Sequence, residues 1–160
     1  MKQVFSLAVV AVLSFSGHAM AGPWAAVAYV GYAGYYQGPG YWENHGTYLK
    51  WNPGVWIDAT YRMGIDEGNY SSQAASNAAL SRCNDSRCGY ITVHNGCVAV
   101  AVGKVANGNT KNVGFSTYRV PLNPGQTQNE VRSAAYYGAR AACVSTGATC
   151  PDVQVACGWL

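Results

Sequence analysis

Six cysteines constrain this chain more than any other feature, because they form two triplets of one plan. Cys83, Cys88 and Cys97 make the first, and Cys143, Cys150 and Cys157 the second. A shift of 60 residues carries Cys83 onto Cys143 and Cys97 onto Cys157. It also carries Ala74, Ala75 and Ala79 onto Ala134, Ala135 and Ala139. Cys88 falls two residues short of Cys150, the change that a longer turn requires. Upstream, Thr60-Tyr61-Arg62 is echoed by Thr117-Tyr118-Arg119, and Ala26-Val27-Ala28 by Ala99-Val100-Ala101. A chain written twice in this way is expected to fold as two like units.

The other end of the chain says where thiols of this kind would meet. Met1-Lys2-Gln3, an apolar run from Val4 to Phe15 and then Ala19-Met20-Ala21 have the order of a secretory signal peptide: a basic start, a short apolar core and a small-x-small site. The run is shorter than the roughly 20 residues that span a bilayer. Cleavage after Ala21 would leave residues 22–160 as a single exported domain with no membrane span, periplasmic or secreted. An even number of cysteines in an oxidising compartment reads as disulfides. Lys2 is the one basic residue of the leader, so ten Lys plus Arg against seven Asp plus Glu leave the rest close to neutral. With charged residues at 11% and no basic run, nucleic acid is not expected as a partner.

Local pattern places the elements. Trp24 to Val30 is a short apolar run with Val and Tyr, a buried strand. VWIDATYR reads as a strand, Asp66-Glu67-Gly68-Asn69 as a turn, and Ser72 as the cap of a helix over 73–82 whose Ala75, Ala78, Ala79 and Cys83 share a face. YITV and VAVAVG flank Asn95-Gly96, a hairpin signal. VGFSTYRV is the next strand. Thr127 and Glu130 fit a capping box ahead of a helix carrying Val131, Ala134, Ala135, Ala139, Ala142 and Cys143 on one side, and VQVAC ends the chain as a strand. The half-repeats are therefore about 24–97 and 98–157, each strand, strand, helix, strand. The expected fold is α+β: two pseudo-symmetric ββαβ units sharing an antiparallel sheet, with two helices on one face, stabilised by disulfides.

Six cysteines allow fifteen pairings, and the repeat selects among them. In each half one cysteine ends the helix and one begins the next strand, which pairs Cys83 with Cys88 and Cys143 with Cys150. Cys97 and Cys157 then hold equivalent strand ends. Near a pseudo-two-fold axis they can meet as a bridge between the halves, at about 4 kcal/mol in the chain-entropy model. A zinc site fits less well, because intervening stretches of four and six residues lack the usual CxxC knuckles.

The pattern AASNAALSRC, Cys88, YITVHNGCVAVAVG, then GFSTY, AAYYGARAAC, Cys150 and VQVAC resembles the bacterial exported domain of unknown function numbered 4189, over roughly Trp24 to Cys157. The resemblance implies a small secreted or periplasmic α+β domain. It brings no established catalytic residues.

One segment stands outside the repeat. Residues 31–56 are an insertion dense in glycine, tyrosine and tryptophan, with turn signals at Gly38-Pro39-Gly40 and Asn52-Pro53-Gly54, and read as a long loop or a loose hairpin. Its rings either fold back over the sheet or form a contact surface. Tyr35, Tyr36, Tyr41, Trp42, Tyr48 and Trp51 are the candidate binding residues, since Tyr and Trp are the usual anchors at protein interfaces. Catalytic candidates are few. Glu43, His45 and Asp58 could bind a metal or act as acid and base, but no motif fixes their geometry. His94 reads as a strand-face residue, and no catalytic, cofactor or metal motif emerges. The expectation is a non-catalytic exported protein that binds another protein, a periplasmic inhibitor or immunity-type factor being one concrete form. The alternatives are a cell-wall glycan-binding module and, more weakly, a small hydrolase.

Overall fold

The computed structural model describes residues 22–107 and 110–160, so the leader lies outside the described residues. Strand β1 is Trp24–Tyr32. Four short strands follow: β2 (Tyr35–Gln37), β3 (Tyr41–Asn44), β4 (Leu49–Asn52) and β5 (Val55–Ile57). Next come β6 (Thr60–Asn69), helix α1 (Ser72–Cys83), β7 (Gly89–His94), β8 (Gly96–Asn107), β9 (Thr110–Pro121), helix α2 (Gln128–Val144) and β10 (Thr149–Gly158). The protein is α+β, and the strands pair antiparallel throughout.

The long strands form two three-stranded sheets, ordered β6-β1-β7 and β10-β8-β9. They do not share one sheet, and the helices do not share one face. The reason lies in the central strands, which are apolar on both sides. In β1, Ala25 and Val27 point one way and Ala26 and Ala28 the other. In β8 the same alternation separates Val98 and Val100 from Cys97, Ala99 and Ala101. The valine faces meet in one core cluster with Val93 and Ala156. Ala26 and Ala28 pack under Ala75, Ala79 and Cys83 of α1, and Cys97, Ala99 and Ala101 pack under Val131, Ala135 and Ala139 of α2. The order of layers is therefore helix, sheet, sheet, helix. A single sheet with both helices on one side would leave the valines in water, at roughly 1.5–3 kcal/mol each.

Small residues let the helices approach closely. A Cβ on Gly64 of β6 would meet the main chain of α1 at Ala79 and Cys83, and one on Gly138 of α2 would meet the Tyr118 ring of β9.

Three local readings change. The cap of α1 is Ser71, whose hydroxyl accepts from the Ala74 N–H at 3.1 Å; Ser72 instead bonds Thr92 across to β7. Residues 66–69 are not a turn but the end of β6, with a register shift where Ala26 passes Asp66 and Trp24 passes Asn69. Asp66 is buried there and held by Arg82 and Asn69. Asn95, in the left-handed region at φ 46°, does not close a hairpin. β7 and β8 belong to different sheets, so this residue turns the chain from one layer to the next.

The bonded cysteines are Cys83–Cys88, Cys143–Cys150 and Cys97–Cys157. The first two join each helix end to the strand that follows. The third, expected as a bridge between the halves, does not cross from one sheet to the other. Cys97 lies in β8 and is the register partner of Cys157 in β10, so this bond crosslinks neighbouring strands of one sheet.

Side chains of β6 tie the two sheets together. Tyr61 donates to Asp152 at 3.2 Å, and Glu67 accepts both the Cys157 N–H and a guanidinium N–H of Arg132. Partial burial, and then the nearby Asp152 charge, raise the Tyr61 phenol above its ordinary value.

Candidate binding arm

Of the two forms expected for the insertion, the structure has the hairpin and not the long loop. β2 pairs with β5 and β3 with β4, so residues 35–57 form a two-storey hairpin arm. The storeys are separated where Gly38 and Gly54 adopt left-handed conformations, beside Pro39 and Pro53. At the tip the His45 N–H donates to the Tyr48 carbonyl at 3.0 Å, and Gly46 turns the chain at φ 83°.

Register decides which rings meet, because residues directly opposite on an antiparallel pair share a face. Tyr36 lies opposite Trp56, with ring centroids 4.8 Å apart and planes at 68°. Trp42 lies opposite Trp51, at 5.2 Å and 59°. His45 stacks on Tyr48 at the tip, 5.1 Å apart. The Trp56 ring fills the space beside Gly34 and the Trp51 ring the space beside Gly40, where a Cβ would collide. In the upper storey Trp42 and Trp51 occupy one face; Tyr41 with Asn52, and Glu43 with Lys50, occupy the other. A hydrogen bond of 3.0 Å joins Asn52 to the Tyr41 hydroxyl.

The rings do not fold back over either sheet. Tyr35, Tyr36, Tyr41, Trp42, Tyr48 and Trp51 are all exposed, with Trp42 at 63%. The structure thus brings the six candidate residues onto one projecting element. Sequence reasoning left out Trp56, Leu49 and Val55. Trp56 is the partner of Tyr36 and donates its indole N–H to Asp58 at 2.9 Å, while Leu49 and Val55 are more than 60% exposed. Fixing the register of the hairpin from its turns would have found Trp56.

At the arm's root lies a cleft of about 360 Å³. Tyr32 at the end of β1, Tyr35, Ile57 at the end of β5, and Thr60 and Arg62 of β6 line it, with Arg87 from the turn after α1. That turn is closed by Cys83–Cys88 and by Asp85, which accepts the Arg87 main-chain N–H at 3.0 Å and the Tyr32 hydroxyl. The Arg87 guanidinium sits 4.3 Å from the centre of the Tyr32 ring.

The family described as Domain of unknown function (DUF4189) matches residues 54–157. The chain belongs to this family. No curated protein and no solved structure matches it. The DUF4189 match takes in both helices, all six cysteines and every long strand but β1. It is shorter than the resemblance over Trp24 to Cys157. It opens at Gly54, so β1 and most of the arm precede it.

Within this DUF4189 chain the acid–base candidates do not converge. Glu43 and His45 form an exposed pair at the arm's tip, 3.3 Å apart. Asp58 lies at the root, bonded to Trp56. Among the described residues no three His, Cys, Asp or Glu side chains group to hold a metal ion. His94 packs edge-on against Trp24, with centroids 4.8 Å apart. No helix among the described residues is long and apolar enough to cross a membrane.

Proposed function

We propose that this protein is exported after loss of a signal peptide and acts without catalysis, binding another protein through its arm. A periplasmic inhibitor or immunity-type factor is the concrete form. One observation carries the reading. The cross-strand pair Trp42–Trp51, and Tyr36 against a half-buried Trp56, stand on a two-stranded ladder outside all three core clusters, with Tyr36, Trp42 and Trp51 exposed. Such a ladder is marginal by itself, and an apolar ring face at its tip gains stability when a partner covers it. The rings are steeply inclined to one another, so they present ridges and edges suited to pockets on a protein. Three disulfides support an oxidising compartment.

The two ββαβ units are further read as copies of one ancestral unit. In each sheet the first strand is central and the second and last flank it. Trp24 opposite His94 then holds the place that Cys97 opposite Cys157 holds in the second unit. The arm has no counterpart in the second unit, which makes it the element added to a duplicated scaffold.

The test is isolation of a stoichiometric complex from the periplasm of the native host, with the partner identified and its affinity measured by calorimetry. Tyr41→Ala combined with Trp42→Ala should abolish the complex and leave thermal unfolding unchanged. Failure to find any partner, or full affinity in the double variant, overturns the reading. Sedimentation of the protein with purified peptidoglycan, lost in the same variant, would replace it with the glycan-binding alternative.

A further inference from the structure

We infer that the cleft at the root of the arm receives a carboxylate, the side chain of a Glu or Asp on the bound protein. This rests on the protein-binding reading and adds a polar anchor to it.

The argument is a count of donors and acceptors. Four charged side chains line the cleft: Arg62, Arg87, Asp58 and Asp85. Asp85 is already engaged by the Tyr32 hydroxyl, by the Arg87 main-chain N–H and by Arg87 Nε. Asp58 accepts the Trp56 indole N–H. Each guanidinium carries five N–H groups. Arg62 places one on the Asn84 carbonyl at 2.8 Å, and Arg87 directs Nε at Asp85. Ten guanidinium N–H groups thus stand beside two carboxylates that also take the Tyr32 hydroxyl, the Trp56 indole and the Arg87 main-chain N–H, so the cleft holds an excess of donors over acceptors.

Shape and charge narrow the ligand. The guanidinium edge matches the two oxygens of a carboxylate. The four lining charges sum to zero, which suits a monoanion better than a phosphate dianion. Tyr35 and Ile57 supply apolar wall for the short stem of an acidic side chain. The cationic wall is set before any ligand arrives, because the turn bearing Arg87 is closed by Cys83–Cys88 and Arg87 rests on Tyr32. Pre-set geometry lowers the ordering cost of binding.

The probe is N-acetyl-glutamate methylamide, titrated into isotope-labelled protein of residues 22–160 and followed by NMR. Shifts should centre on Tyr32, Thr60, Arg62 and Arg87. The matching glutamine compound should not produce them. Arg62→Gln and Arg87→Gln should each weaken binding about tenfold, the effect of losing a charged hydrogen bond. Arg87 also supports the turn, so Arg62→Gln and the loss of binding in high salt serve as the independent readouts. No shift with the glutamate probe, or equal shifts with the glutamine compound, overturns the inference. Tighter binding of glucuronate than of the glutamate probe would also overturn it, by making a sugar acid the source of the carboxylate. The titration needs no protein partner, so its outcome is separate from that of the complex isolation.

Discussion

The carboxylate of Glu67 accepts the main-chain N–H of Cys157 at 3.0 Å, reaching from the edge strand of one sheet to the edge strand of the other. The same oxygen takes Arg132 of α2 at 2.9 Å. A strand edge with unpaired N–H groups invites pairing with another chain, and here a side chain from the neighbouring layer occupies one of them. Cys157 is buried, so its N–H would have no ready substitute partner. Glu67→Ala is expected to cost about 1–3 kcal/mol, the penalty for stranding a buried donor. Glu67→Gln, which keeps an acceptor oxygen, is expected to cost less. Urea unfolding of both variants measures the difference, and equal losses would show that the ion pair with Arg132 matters more than the amide.

The three disulfides should differ in worth. Cys97–Cys157 closes a loop of 60 residues, whereas Cys83–Cys88 closes one of 5. In the chain-entropy model these contribute about 4 and about 2 kcal/mol. Paired serine replacements, compared by reversible chemical unfolding, should therefore rank the long bridge above the short one. The reverse ranking would mean that the short staple acts on the folded state, by holding the turn that carries Arg87.

Helix α2 begins in a reciprocal cap. Thr127 accepts the Glu130 N–H at 3.3 Å, and Glu130 accepts the Thr127 N–H at 2.7 Å. The hydrogen bonds from the Thr127 main chain and hydroxyl lower the Glu130 pKa. A carboxylate with a depressed folded-state pKa contributes stability above its unfolded value and loses it as pH falls through the folded value. Thr127→Ala should cost about 1 kcal/mol near neutral pH, and less once Glu130 is protonated. Unfolding measured from neutral to acid pH should show the two proteins converging, and a constant gap would assign the loss to the hydroxyl alone.

Much of this architecture could be read from residues. The alanine faces of α1 and α2, the Thr127–Glu130 box and the local staples all depend on spacings of a few positions, which a helix or turn fixes within the chain. The aromatic segment was visible from its density of glycine, tyrosine and tryptophan. A hairpin was one of two forms open to it, but its register was not legible, because glycine and proline announce turns without saying which residues they set opposite. The same limit applies at Asn95-Gly96, where a hairpin signal serves a corner between sheets.

The sequence by itself determined the α+β class, both helices, most of the long strands and the separation of aromatic insertion from cysteine framework, because periodicity and cysteine spacing are local properties. Only the tertiary structure decided that β1 and β8 lie in separate stacked sheets with a helix outside each. It also decided that Cys97 meets Cys157 as a neighbour within one sheet, and that Arg62 and Arg87 converge beneath the arm. Those arrangements follow from burying both faces of the two central strands at once. That requirement brings together residues far apart along the chain, and no spacing within the chain encodes it.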